Sequence, residues 1–349
     1  MNQWNYLPKV VEIEMSHQCP IICSGCAIRE EIQRGEFKLS AREIFDVLNQ
    51  AGELGIPNYS LTGGEPFLDL PLLGQVINQS ELDLVKINTN AFTFTTPRVT
   101  REIFTELQQS GFAVRNKKTI AWLNISIGQQ NAAGVPLENS VFACQEFFNF
   151  FPHSKAGISL IVFSPSEAFS YQTIDKFVAK YQEITAKKFD SQLIPIKIIP
   201  SSGRECSTAL KLNHIDQKTM GIGILIEQYL HSGIMVNCIP ESVQARHGVN
   251  APRILIRADG SVYSCYGFSH VYNLGNIKSE KLKDILNKIN DNPALVMVLR
   301  SGLKGLLRGA EKLKPGISQN TISISYGLCN ICQLLSEVVN SYNTARKKV

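Results

Sequence analysis

Three cysteines stand within eight residues, Cys19-Pro20-Ile21-Ile22-Cys23-Ser24-Gly25-Cys26. Thiolates at that density can share one centre, and they favour zinc or iron–sulfur ligation. A structural zinc site is closed and needs a fourth ligand nearby, whereas the local count stops at three. A cubane of four irons held by three cysteines keeps one iron open to a small chelating ligand. A zinc knuckle is the alternative on these residues alone. A second stretch, Leu61-Thr62-Gly63-Gly64-Glu65-Pro66, pairs two glycines with an acid. Adjacent glycines allow close backbone approach and unusual torsions, so the backbone can bind a ligand's charged amino-acid end. A tight strand-to-helix turn explains the same residues. Four more thiols, Cys238, Cys265, Cys329 and Cys332, lie in the C-terminal third. They suffice for every iron of a second cluster, and would satisfy zinc equally. Cys144, among Val141, Phe147, Phe148 and Phe151, reads as a small core residue.

These groups need elements to hold them. From Val10 to about Arg204, short β-rich runs alternate with helical periodicity, the pattern of βα units around a parallel sheet. Strands are expected over 10–15, 58–62, 84–88, 121–126, 156–163 and 193–199, with helices near 41–54, 99–110, 140–151 and 171–186. Chemistry in βα folds collects where strands end and loops begin. The cysteine triad follows the first strand and the double glycine follows the second, so both belong to one rim. After about Leu210 the rhythm changes to a helical segment near 216–231 and a hairpin over 253–258 and 261–266, turned by Asp259-Gly260. The expected division is residues 1–210 and 211–349.

Composition narrows the class of protein. The 349 residues are 44% hydrophobic and 19% charged, which excludes a mainly disordered chain. No run approaches a membrane span, and Met1 to Lys9 lacks the layout of a signal peptide. Nine cysteines, several clustered at ligand spacing, without an export signal, point to metal ligands in a reducing, cytoplasmic setting rather than to disulfides. A net charge of +5 is too mild to demand nucleic acid. Arg300, Lys304, Arg308 and Lys312 recur every fourth residue and read as a solvated helix face, with Gly302, Gly305 and Gly309 weakening any long helix.

Spacing of three and then two residues between the cysteines, after an apolar strand, resembles the signature of the radical SAM superfamily. Gly63-Gly64-Glu65-Pro66 after the second strand is similar to the turn by which that family holds the methionyl amino group of S-adenosylmethionine. The resemblance implies a six-stranded partial (β/α)6 TIM-like barrel, with the open iron chelated by the amino and carboxylate groups of that cofactor. It extends to Asn88-Thr89-Asn90, like the family's threonine–asparagine turn, and to Asn124 and Ser126, where the family contacts ribose and carboxylate. The family often has an acid two positions after such a serine; this chain has Gly128. It often has an aromatic residue before the third cysteine; this chain has Gly25. Arg204, in a Pro-Ser-Ser-Gly-Arg loop, resembles the residue closing the barrel in relatives with extra clusters. Arg204 pairs either with a cofactor or substrate carboxylate or with surface charge. The order of Cys238, Cys265, Cys329 and Cys332, with Gly260 ahead of Cys265, resembles the twitch domain, a shortened SPASM extension. That implies a smaller α+β domain with an auxiliary [4Fe-4S] cluster.

The resemblance implies an enzyme that reductively cleaves S-adenosylmethionine to a 5′-deoxyadenosyl radical and abstracts a substrate hydrogen. Relatives with such extensions modify ribosomally made peptides by epimerisation, cross-linking or backbone excision, and others act on sugars or aminocyclitols. The mildly basic chain and Cys206 favour the peptide. Cys206 is either a hydrogen-atom donor at the barrel mouth or an idle loop cysteine. A first strand beginning by residue 10 leaves no room for an N-terminal leader-binding domain, so a peptide would come with a separate recognition protein. An external electron donor is expected, with no nucleic acid and no membrane among the partners. A non-catalytic metal-binding or electron-transfer protein is the remote alternative, disfavoured because a carrier has no use for the double-glycine turn.

Overall fold

The computed structural model describes residues 8–23, 26, 28–34, 37–79, 84–113, 120–151, 156–164, 167–200, 224–225, 253–264, 273–317 and 334–341. Six strands pair in parallel in chain order: β1 (Val10–Glu14), β2 (Asn58–Thr62), β3 (Leu84–Thr89), β4 (Ile120–Gly128), β5 (Ala156–Ser164) and β6 (Ile196–Pro200). Helices Ala41–Glu53, Leu70–Gln79, Pro97–Gln109, Leu137–Phe150 and Glu167–Thr185 alternate with them. The result is a partial TIM-like barrel, as the alternation of periods predicts. Each strand expected from the sequence is present with its ends shifted by a few residues at most. The helices Arg29–Arg34 and Leu70–Gln79 are additions.

The two faces of the sheet differ in chemistry. On β4, Ala121, Leu123, Ile125 and Ile127 are all fully buried and join the helices' apolar residues in one core. Alternation puts Trp122, Asn124 and Ser126 on the opposite, concave face. β1 repeats the pattern, with Val11 and Ile13 in the core and Glu12 and Glu14 turned the other way. Between helices Pro97–Gln109 and Leu137–Phe150, Phe104 meets Phe147 and Phe151 at centroid distances of 6.0 and 5.4 Å. Such ring pairs add about 0.5–1.5 kcal/mol each beyond area burial. Cys144 is fully buried in this core, as expected.

The C-terminal region extends the same sheet. β8 (Arg253–Ile256) lies parallel to β1, and β9 (Ser261–Tyr263) and β10 (Asn273–Asn276) follow antiparallel. At the far edge, β7 (Ile224–Leu225) pairs with β6 in parallel. These two residues are strand where the sequence suggested helix, because β6 offers them a hydrogen-bonding edge. Helix Leu282–Asn287 docks on the barrel, with Leu282 N–H donating to Gln50 Oε1 at 2.7 Å. A helix runs over Pro293–Leu313 despite its glycines. Burial of Leu295, Val298, Leu299, Leu306 and Ala310 outweighs their low helix propensity. Arg308 and Lys312 are exposed on it, as a solvated face requires. Among the described residues no helix is long and apolar enough to cross a membrane. The boundary expected near residue 210 falls outside the described residues.

Candidate active site at the barrel rim

Parallel strands deliver their following loops to one end, so the segments after β1, β2, β3 and β4 share a rim. The cysteine segment is an excursion tied at both feet. Leu39 N–H donates to Met15 O, and His17 N–H donates to Phe37 O, both at 2.9 Å. Ser16 and Lys38 form an isolated bridge between the same feet. Inside the excursion, Cys26 N–H donates to Cys23 O at 3.3 Å. Cys23 is buried with Ile21 and Val135, and Cys19 and Cys26 pack partly buried against them. All three thiols are free, as is Cys144.

The double-glycine turn is fastened directly to that excursion. Gly64 N–H donates to Ser16 O at 2.8 Å, and Glu65 N–H donates to Gln18 O at 2.9 Å. A Cβ on Gly64 would lie 1.9 Å from Gln18 O and 3.0 Å from Cys19 Cβ. Gly63 has φ +132°, and its Cβ would meet Ser16 O at 2.5 Å. Glycine is therefore required here for contact between two protein loops. These two amides are spent on the protein, and a ligand's ammonium group, itself a donor, would be held at this turn by carbonyl oxygens. Pro66 is buried at the first position of the short helix Pro66–Asp69.

Glu65 links this turn to the loop after β3. Its carboxylate accepts from Phe67 N–H at 3.1 Å, Thr89 Oγ1 at 2.8 Å and Asn90 N–H at 2.7 Å. It is 1% exposed, and burial raises its carboxyl to about 7 against the pull of those three donors. Asn90 in turn points Nδ2 at Cys19 Sγ, 3.5 Å away, and accepts from Phe92 N–H through Oδ1. Motifs on three loops thus form one connected unit. Burial pushes the Cys19 thiol up to about 11 and the Cys23 thiol up to about 12, with neighbouring thiols adding to the rise. Cys26 is raised by burial too, with Glu14 and Glu31 contributing. Thiolates this disfavoured need a bound cationic centre to offset their charge. Among the described residues, no group of three or more His, Cys, Asp and Glu side chains is arranged to hold a single metal ion. Three free thiols on one short excursion, each able to ligate its own iron, are a donor set that fits an iron–sulfur cluster.

Deeper in the barrel, a polar chain crosses the strands. Asn88 donates to Ser60 Oγ (3.1 Å) and accepts from Asn124 Nδ2 (2.7 Å); Ser159 Oγ donates to Asn124 Oδ1 (2.6 Å). Trp122 Nε1 donates to Ser159 Oγ at 3.1 Å, and its indole lies across Gly157, whose Cβ would fall 2.2 Å from Cζ3. Asn88 is thus engaged on both sides of its amide. Ser126 is 8% exposed and stands opposite Ile161 in register. Gly128 ends β4 at φ +98°; the backbone there suits glycine and strains the acid otherwise found at that place. Sequence reasoning missed Glu12, Glu14, His17, Arg253 and Arg257, and singled out Thr89 only as part of the Asn88-Thr89-Asn90 turn. The signal was present: acids at alternate positions of Val-Val-Glu-Ile-Glu, and arginines four apart around Ile-Leu-Ile, mark one polar face of each strand. Arg204, Cys206, Cys238, Cys265, Cys329 and Cys332 lie outside the described residues.

Comparison with known proteins adds to this geometry. Residues 13–127 match the model of the Radical SAM superfamily, and residues 250–292 match SPASM, an iron–sulfur cluster-binding domain. A PqqA peptide cyclase of Streptomyces rochei is 39% identical over 66 residues, 18% of this chain and 18% of that protein. The PqqA peptide cyclase of Bradyrhizobium diazoefficiens is 31% identical over 105 residues, 30% of this chain and 27% of that protein. The matched stretches thus span well under half of those relatives. Two solved structures share the fold. Streptococcus suis SuiB bound to S-adenosylmethionine superposes with TM-score 0.52 at 17% identity, over 84% of this chain and 66% of that one. Native anSMEcpe with bound AdoMet gives TM-score 0.54 at 13% identity, over 97% of both chains.

Proposed function

We propose that this chain, a radical SAM protein with a SPASM-type iron–sulfur region, is an enzyme that modifies a ribosomally synthesised peptide. Its cofactors are a [4Fe-4S] cluster with S-adenosylmethionine and a second iron–sulfur cluster. In this reading Cys19, Cys23 and Cys26 hold the first cluster, and Cys238, Cys265, Cys329 and Cys332 hold the second. Residues 1–210 form the barrel domain and 211–349 the auxiliary domain. When bound and reduced, the first cluster and its cofactor supply a 5′-deoxyadenosyl radical that takes a hydrogen atom from the substrate.

The observation that carries the reading is the fastening of the double-glycine turn to the cysteine excursion. Gly63 and Gly64 bring the turn against Gln18 and Cys19, so a cofactor seated on the turn's carbonyl groups stands beside the open iron. Glu65 and Pro66 shape that seat, and Glu65 fixes Asn90 next to Cys19. Asn88 braces the strand below, while Ser126 and Arg204 serve the ribose and carboxylate ends. Where the modification is an epimerisation, Cys206 is the hydrogen-atom donor; for cross-linking or excision it is an idle loop cysteine. Free thiols at the site suit a reducing, cytoplasmic setting.

The peptide is favoured because the curated relatives are named for action on one. An external electron donor is required, and a separate leader-peptide recognition protein is the expected partner. The polar concave face, from Ser60 through Asn124 to Trp122, supports a second reading, dehydrogenation or epimerisation of a sugar or aminocyclitol. Incubation of the reconstituted enzyme with a precursor peptide encoded beside its gene separates the two. A changed peptide mass, or deuterium uptake from solvent for an epimerase, supports the first reading. Turnover of an aminocyclitol with every such peptide unchanged rejects it. Cys206→Ala is expected to keep deoxyadenosine formation and lose the epimerised product.

A further inference from the structure

Among the described residues, Arg257 carries the C-terminal region to the cysteine excursion. β8 aligns with β1 so that Arg253 sits opposite Val10 and Ile256 opposite Ile13. Arg257 follows directly, held by the tight turn in which its N–H donates to Ser261 O and its own carbonyl accepts from Gly260 N–H. Its guanidinium then forks. Nε lies 3.4 Å from Glu14 Oε2, at the end of β1, and Nη2 lies 2.8 Å from Glu31 Oε1, five residues beyond Cys26. The Tyr263 ring lies beneath it at 5.9 Å. Glu14, Arg257 and Tyr263 are all under 9% exposed, so water screens these charges poorly. His17 Nε2 is also within 3.5 Å of Glu14 Oε2. Glu14 stands five residues before Cys19 and Glu31 five residues after Cys26, so these two carboxylates flank the cysteine segment at both ends. Arg257 answers both.

We infer that Arg257 is a positioning residue for the first cluster: its fixed positive charge offsets the two carboxylates that flank the cysteine segment and sets that cluster's midpoint potential. The inference rests on the cluster reading above and adds to it that the auxiliary region tunes the catalytic centre electrostatically. Cluster potentials follow net charge and hydrogen bonding around the ligand sulfurs. Removing a nearby cation disfavours the reduced, more negative cluster; removing a nearby anion favours it. Arg253 provides the control. It pairs with Glu12 at 3.0 Å in the same manner but one residue pair further from the cysteines.

The test is an anaerobic redox titration of the reconstituted enzyme, following the electron paramagnetic resonance signal that S-adenosylmethionine perturbs. Arg257→Gln is expected to lower the midpoint by at least a tenfold change in the reduction equilibrium, about 59 mV for one electron. Glu31→Gln is expected to raise it, and Arg253→Gln to leave it at the parent value while lowering the melting temperature. Equal midpoints for Arg257→Gln and the parent, or shifts of the same sign for Arg257→Gln and Glu31→Gln, overturn the inference. Should Arg257→Gln bind no iron, the sign of the Glu31→Gln shift decides alone: a rise supports the inference, and any other result overturns it. A parent protein with no cofactor-perturbed signal removes the functional reading itself, and this inference with it.

Discussion

At the scale of single residues, Glu65 concentrates the physics of the site. A carboxylate with three protein donors and almost no exposure is a fixed joint between two loops. Burial nonetheless raises its carboxyl from 4.5 to about 7, so the folded chain binds this proton more tightly than the unfolded one. The stability it contributes is therefore complete below about pH 4.5 and is lost as pH rises through about 7. Glu65→Gln cannot ionise, so that stretch of its pH profile should be flatter. The difference between pH 4.5 and 7.5 should be of the order of 3 kcal/mol at most, read as urea-unfolding free energies of both proteins at each pH. Parallel profiles would show that Glu65 keeps an ordinary carboxyl. Residue chemistry of this kind was half legible in the sequence. Gly63, Gly64 and Glu65 stood out by type and position. The Gln18 carbonyl did not, because a backbone oxygen carries no sequence signal; Thr89 stood within the Asn88-Thr89-Asn90 turn, but its bond to Glu65 became legible only in the fold.

At the scale of elements, the informative contact is between two loops rather than within either. The strand order β1–β2–β3 places the cysteine excursion, the double-glycine turn and the Asn90 turn side by side, and Gly64 closes the gap. Gly64→Ala must push Gln18 and Cys19 aside, since its Cβ would stand 1.9 Å from a carbonyl oxygen. We expect far-ultraviolet circular dichroism to be unchanged, because the strands keep their own hydrogen bonds. Iron after reconstitution should fall from about eight to about four per chain, with the S-adenosylmethionine-sensitive signal lost. Full iron content in this variant would show that the turn does not position Cys19. Most of these elements were read from their period, and the structure adds the caps that fix their starts. Ser40 with Glu43 makes a capping box, and Thr96 ahead of Pro97 a helix start. The helix after Pro66 was harder, since its residues 70–79 carry no charge to set a polar face against an apolar one. β7 could not be read, because two residues become strand only through the edge that β6 offers them.

At the scale of the molecule, one sheet carries both halves of the chain: β8 lies against β1, and Arg253 and Arg257 pair with Glu12 and Glu14 across that junction. The sequence divided the chain by rhythm near residue 210 and gave no sign of this pairing, which depends on contacts some 240 residues apart. What it did carry was the pair of motifs whose juxtaposition the structure shows. The central claim is that Cys19, Cys23 and Cys26 hold a cluster with one iron left for S-adenosylmethionine. The most direct measurement is anaerobic reconstitution, one-electron reduction in the presence of that cofactor, and quantification of 5′-deoxyadenosine. Formation of 5′-deoxyadenosine and methionine by the parent, and its loss in Cys19→Ala, Cys23→Ala and Cys26→Ala alike, is the predicted result. Zinc in place of iron, or deoxyadenosine formed undiminished without these thiols, would contradict it.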